Sequence, residues 1–217
     1  RPRGRAAAHL MAAPAAKLAI TGPAGSLEIA LTQPRGTARG IALLAHPHPL
    51  YGGTMDNKVV QTLARSFAAI GYTAWRMNFR GVGGSEGVFD DGRGEIEDFR
   101  ALAQHARNEQ PGLPLALAGF SFGGYVVSHL ASELQPAKLV LVAPAVGRFP
   151  VADVPQHTLV IHGEEDDVVT LKDVLAWARP QKLPILVVPG AGHFFHGDLL
   201  KLQSAVTNSC SCAGPES

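Results

Sequence analysis

The pentapeptide Gly119-Phe120-Ser121-Phe122-Gly123 restricts the possible folds of this chain more than any other stretch. It has the form G-x-S-x-G, which fits a sharp turn from a strand into a helix, with the serine strained and its hydroxyl projecting from the sheet. Residues two before and two after the serine must be small, because larger side chains would collide across the turn. Both are glycine, which has no Cβ to clash. The flanks agree. Pro114–Ala118 is a short apolar run, as a buried strand requires, and Tyr125–Ala131 can continue as a helix packed on it. A glycine-rich turn with a solvated serine shares the five letters but does not need this context.

The rest of the chain alternates in the same way. Lys17–Ile20 and Leu27–Leu31 flank Gly22-Pro23-Ala24-Gly25 and read as a hairpin. Further strands are expected at Gly40–Ala45, Tyr72–Phe79, Lys138–Val142, Thr158–Ile161 and Pro184–Val188. Helices are expected at Thr54–Ile70, capped by Thr54 and ended by Gly71, then at Glu95–Asn108, near Thr170–Ala178 and at Gly197–Val206. Strands alternating with helices imply the α/β class: a mostly parallel, twisted sheet with an N-terminal hairpin and helices on both faces. Charged residues are only 17% of the chain, against roughly 25% in typical globular proteins. That fits a sheet buried on both faces.

At 217 residues the simplest organisation is one domain, expected over 12–206. Residues 1–11 are Arg- and Ala-rich, with Met11 reading as a native start, and are expected to be an added or disordered extension. Residues 207–217 are small and polar and are expected to form a loose tail.

In parallel sheets of this kind, sites form beyond the carboxyl ends of the strands. Several expected strands end in chemically useful groups. One ends in His46-Pro47-His48-Pro49 and one in Ser121. Another runs into His162-Gly163-Glu164-Glu165-Asp166-Asp167, and another ends in Gly190-Ala191-Gly192-His193. Serine, acid and histidine thus occur in the chain order of a catalytic triad in this architecture. Serine is a poor nucleophile without a base within hydrogen-bond reach. Neutral His193 can take its proton and later return it to the leaving group. A carboxylate must fix the histidine tautomer and stabilise the imidazolium.

With these residues the chain resembles the α/β-hydrolase superfamily from about Ile41 to His193. The resemblance rests on Gly119–Gly123, His162–Asp166 and Gly190–His193, and on the turn Asn78-Phe79-Arg80-Gly81-Val82-Gly83-Gly84-Ser85. His46–Pro49 and Tyr51–Lys58 look like those of small, dienelactone-hydrolase-like esterases. The resemblance implies Ser121 as nucleophile, Asp166 as acid and His193 as base. The His-Gly-x-x-Asp pattern lands on Asp166, with Asp167 the alternative one residue on. The Ala-Gly-His context favours His193 over His196. One oxyanion donor is expected to be the Phe122 N–H. Pro47 and Pro49 have no N–H, which leaves His48 for the second donor and Leu50 as fallback. The activity implied is hydrolysis of carboxylic esters through an acyl-enzyme, with thioesters, lactones and peptides as neighbouring substrates. A non-catalytic binding module would keep the fold but would not need an intact triad.

The sequence also narrows what else the chain can do. No cofactor is implied. His46 and His48 could be read as metal ligands with His162, His193 or Glu86, but the spacing is unlike that of structural zinc sites. Gly81–Gly87 is not a nucleotide-binding pattern. A net charge of +1 gives no footprint for nucleic acid or an anionic membrane. No run approaches the ~18 apolar residues of a membrane span. Cys210 and Cys212 cannot form a disulfide framework, so a cytoplasmic location is the default. The expected partner is a small-molecule ester. In many relatives a lid follows the strand after the elbow helix. Here that place is 143–156, broken by Pro144, Pro150 and Pro155, and roughly fourteen residues are too few for a helical cap.

Overall fold

The structure, a computed structural model, describes residues 17–211. The expected extension at 1–11 lies outside the described residues, as do 12–16 and 212–217. The chain opens with the hairpin β1 (Lys17–Gly22) and β2 (Gly25–Thr32), followed by β3 (Gly40–Ala45), α1 (Lys58–Ala69) and β4 (Tyr72–Met77). It continues through α2 (Arg93–Glu109), β5 (Leu115–Phe120), α3 (Phe122–Leu134), β6 (Lys138–Val142) and β7 (Leu159–Gly163). It closes with α4 (Leu171–Gln181), β8 (Ile185–Val188) and α5 (Leu199–Ser211).

All eight strands form one sheet in the order β1-β2-β4-β3-β5-β6-β7-β8. The pairs β1–β2 and β2–β4 are antiparallel, and every pair from β4 to β8 is parallel. The expected α/β architecture is therefore present. Its strands bury both faces because their residues are apolar on both. Leu43, Leu117 and Leu141 pack with Phe99, Leu102, Val126 and Leu130 of α2 and α3. Leu44, Ala118 and Val142, one residue out of phase, pack with Leu63 and Phe67 of α1 and Leu202 and Val206 of α5. Trp75 is buried and Trp177 half-buried, as their places on a strand and a helix imply. The connection from β6 to β7 carries only an isolated bridge between Val146 and Phe149, and no lid is inserted there.

Two helix ends depart from expectation. The first helix starts at Lys58, not Thr54, and Asn57 caps it, its Oδ1 accepting from the Val59 N–H at 2.8 Å. Residues just before it are drawn into other bonds. The Met55 N–H donates to Asn78 Oδ1, and Arg76 Nη1 donates to the Met55 carbonyl. The last helix starts at Leu199, not Gly197, and runs to Ser211, so residues 207–211 are helical and not a loose tail. Leu202, Val206 and Cys210, four residues apart, are all buried and carry the apolar stripe past the expected end.

The end of β4 is clamped to α2 by an ion pair. Arg80 Nε and Nη2 donate to the two oxygens of Asp98 at 2.9 and 2.7 Å, and the Arg80 N–H donates at 3.1 Å. The Asp98 side chain is fully buried. Gly94 makes room, since a Cβ there would intrude on the guanidinium. Asp98→Ala would strand a half-buried cation. We predict a loss of about 3–5 kcal/mol in urea unfolding. A loss below about 1 kcal/mol would show that the clamp is not needed.

Candidate active site

Ser121 sits between β5 and α3 at φ 54°, ψ −116°, a conformation that non-glycine residues avoid. It is held there from both sides. The Ser121 N–H donates to the Val142 carbonyl at 2.9 Å, and the Ser121 carbonyl accepts from Gly124 and Ala145 at 2.9 and 3.2 Å. A Cβ on Gly119 would strike the Gly123 carbonyl, as the sequence implied. A Cβ on Gly123 would strike the Ala45 carbonyl at the end of β3. The second glycine therefore spaces the helix from the neighbouring strand as well.

Asp166 follows β7 and His193 follows β8. His193 Nδ1 lies 2.7 Å from Asp166 Oδ2, and Nε2 lies 3.1 Å from Ser121 Oγ. A carboxylate only accepts, so the proton belongs on Nδ1, and Nε2 turns its lone pair to the hydroxyl. Asp166 Oδ1 accepts from the Val168 and Val169 N–H groups at 2.9 and 2.7 Å. Burial pushes the Asp166 carboxyl up, but the bonds from His193 and Val169 together hold it below its ordinary value. Asp167, one residue on, is exposed, as are Glu164, Glu165 and His196. The structure thus brings together Ser121, Asp166 and His193 and leaves their sequence alternatives outside.

His162 is buried behind Asp166, 3.6 Å from its Oδ2, and its Nε2 meets the Val169 carbonyl at 2.9 Å. Burial lowers its pKa and favours the neutral ring. His46 is also fully buried. Its Nε2 accepts from the Phe79 N–H at 3.1 Å, so the proton lies on Nδ1, which donates to the Pro47 carbonyl at 2.6 Å. Both ring nitrogens are occupied in holding the loop after β3. Among the described residues no group of three His, Cys, Asp or Glu side chains could hold a metal ion.

That loop carries His48. Its Nδ1 accepts from the Leu50 N–H at 3.2 Å, so the fallback oxyanion donor is already engaged. The His48 N–H has no acceptor among the described residues. The Phe122 N–H opens α3, where the first N–H groups have no partner within the helix. The His48 ring stacks among Tyr51, Phe89, Phe122 and Phe149.

Ser121 and His193 form the floor of an open cavity of about 590 Å³, walled by Phe122, Phe149, Phe194 and Val168 with Arg148. Phe149 and Arg148 come from the loop after β6 and were not singled out from sequence. No spacing rule marks a wall residue, so only the loop's position beyond a strand end pointed there. Among the described residues no helix is long and apolar enough to cross a membrane.

Comparison with known proteins identifies the family. Residues 37–152 match the family model for serine aminopeptidase, S33, and the chain belongs to that family. An α/β serine hydrolase without a lid from Xanthomonas campestris is 37% identical, with a TM-score of 0.88 over 96% of this chain and 99% of that one. An α/β serine hydrolase homologue from Coxiella burnetii is 38% identical, with a TM-score of 0.84 over 89% and 96% of the two chains. A monoacylglycerol lipase from Mycolicibacterium smegmatis is 32% identical over 113 residues, 50% of this chain and 39% of its own length. The chain is an α/β-fold serine hydrolase.

His46 gives the site's frame a pH dependence. Burial lowers its pKa from 6.5 to about 4. A depressed histidine pKa means that the unfolded chain binds the extra proton first. The stabilisation is complete above 6.5 and is lost as pH falls towards 4, by about 3 kcal/mol. We predict that unfolding free energy declines over this window and that His46→Asn flattens the decline. An unchanged slope in the variant would rule out His46 as its source.

Proposed function

We propose that this hydrolase cleaves carboxylic ester bonds of small, soluble substrates through an acyl-enzyme. One observation carries the reading: Asp166, His193 and Ser121 are linked at 2.7 and 3.1 Å, with Ser121 and His193 on the floor of a cavity that no lid covers. In this mechanism Ser121 Oγ attacks the ester carbonyl while His193 Nε2 takes its proton. The developing oxyanion is met by the Phe122 and His48 N–H groups. The imidazolium is stabilised by Asp166 and protonates the departing alkoxide. Water then enters, His193 takes its proton, and the acyl group leaves as the acid.

The family's description mentions an aminopeptidase, which would have to hold a free ammonium group. Among the described residues lining the cavity there is no carboxylate for it but an arginine, which favours an ester over an N-terminal peptide. Without a lid, short-chain activated esters are expected to outrun long-chain triglycerides. The rate should not jump when substrate passes from monomer to emulsion.

Ser121→Ala is predicted to lower kcat by about six orders of magnitude with the fold retained, and to abolish labelling by a fluorophosphonate. Near wild-type turnover in that variant would end the mechanism, and an unlabelled wild-type protein would favour a binding module. Asp166→Asn is predicted to cost about ten-thousand-fold, because an amide disfavours the working tautomer of His193. Asp167→Asn should cost far less. The reverse order would assign the acid to Asp167.

A further inference from the structure

Among the described residues that line the cavity holding Ser121 and His193, Arg148, itself exposed, is the one Arg or Lys, and none is Asp or Glu. Its position is tied to the nucleophile through the backbone. The Ala145 N–H donates to the Ser121 carbonyl, and the Ala145 carbonyl accepts from the Arg148 and Phe149 N–H groups at 3.2 and 3.0 Å. Gly147, at φ 77°, allows the turn. The guanidinium is oriented by one bond, in which Nε donates to the Val168 carbonyl at 2.9 Å, two residues beyond Asp166. Neither Nη group has a hydrogen-bond or ion-pair partner among the described residues. Arg76, Arg80 and Arg100, by contrast, are each paired with a carboxylate.

An arginine oriented by Nε presents its Nη donors in the planar fork that matches a carboxylate. The same wall includes the apolar Ala145, Phe149 and Phe122, with the Phe122 and Phe149 rings 5.0 Å apart. We propose that Arg148 is a specificity-determining residue that selects esters bearing a second, anionic carboxylate, separated from the scissile bond by a short apolar spacer. The inference rests on the ester-hydrolase reading and adds the substrate's charge to it. His48, whose pKa burial holds below its ordinary value, adds no competing cation at neutral pH.

The test compares matched esters that differ by one charge. On the acyl side, mono-4-nitrophenyl adipate is set against 4-nitrophenyl hexanoate. On the alcohol side, 4-acetoxybenzoate is set against 4-acetoxybenzamide. Wild type is expected to favour the anionic member of at least one pair by tenfold or more in kcat/KM, chiefly through KM. Arg148→Gln should reduce that ratio to about one, and Arg148→Lys should keep part of it. A ratio taken within each variant cancels any general loss of activity. Salt at 0.5 M should erode the wild-type preference. Neutral preference in both pairs, or a ratio unchanged by Arg148→Gln, would overturn the proposal. If wild type hydrolyses none of these esters, the ester reading fails and calorimetry with adipate tests the subsite alone. Binding to wild type that is lost in Arg148→Gln supports the subsite, and no binding to wild type overturns it.

Discussion

The backbone of Ser121 holds an unfavourable dihedral pair, costing on the order of 1–3 kcal/mol, and the molecule is arranged around keeping it. Its N–H is bonded to β6, its carbonyl to α3 and to the loop after β6, and its two glycine neighbours leave room for nothing larger. β5 lies inside the sheet, paired with β3 on one side and β6 on the other. The strain therefore sits inside the sheet, held by hydrogen bonds to β6, α3 and the loop after β6. The same turn aims the hydroxyl at His193.

Residues that meet a local geometric demand were legible in the sequence. The glycines of G-x-S-x-G answer a steric requirement within five residues, and the strand ends at His46, Ser121, Asp166 and His193 follow from apolar runs that stop. The choice of Asp166 over Asp167 was legible only as a pattern. Its physical reason is that Asp166 receives two backbone N–H groups of its own turn while Asp167 faces solvent. Features that depend on distant partners were not legible. The late start of α1 comes from bonds that Asn78 and Arg76 make to Met55, more than twenty residues away along the chain. The long last helix reflects a stripe ending at Cys210, among polar residues that by themselves read as a tail.

Wall residues were the least legible. Arg148 and Phe149 lie in a proline-broken loop without periodicity, and their direction is set by Ala145 and Val168. Such loops carry the chemistry that separates one hydrolase from another on the same sheet. The framework can thus be read from short motifs, whereas substrate preference is written in contacts between segments.

The three site residues are not mounted alike. Ser121 rises from an interior strand, but His193 follows β8, four residues that among the described residues border the sheet with a neighbour on one side only. Its loop is tethered mainly to the acid loop, through Glu164 Oε2 with the Gly190 N–H and the Glu165 N–H with the Ala191 carbonyl. Fraying of that border would carry the imidazole away while the elbow stays folded. Local openings of this kind cost less than global unfolding. The place of the imidazole thus depends on the pairing of β7 with β8 and on Ala191 and Phe195, which anchor its loop in the core.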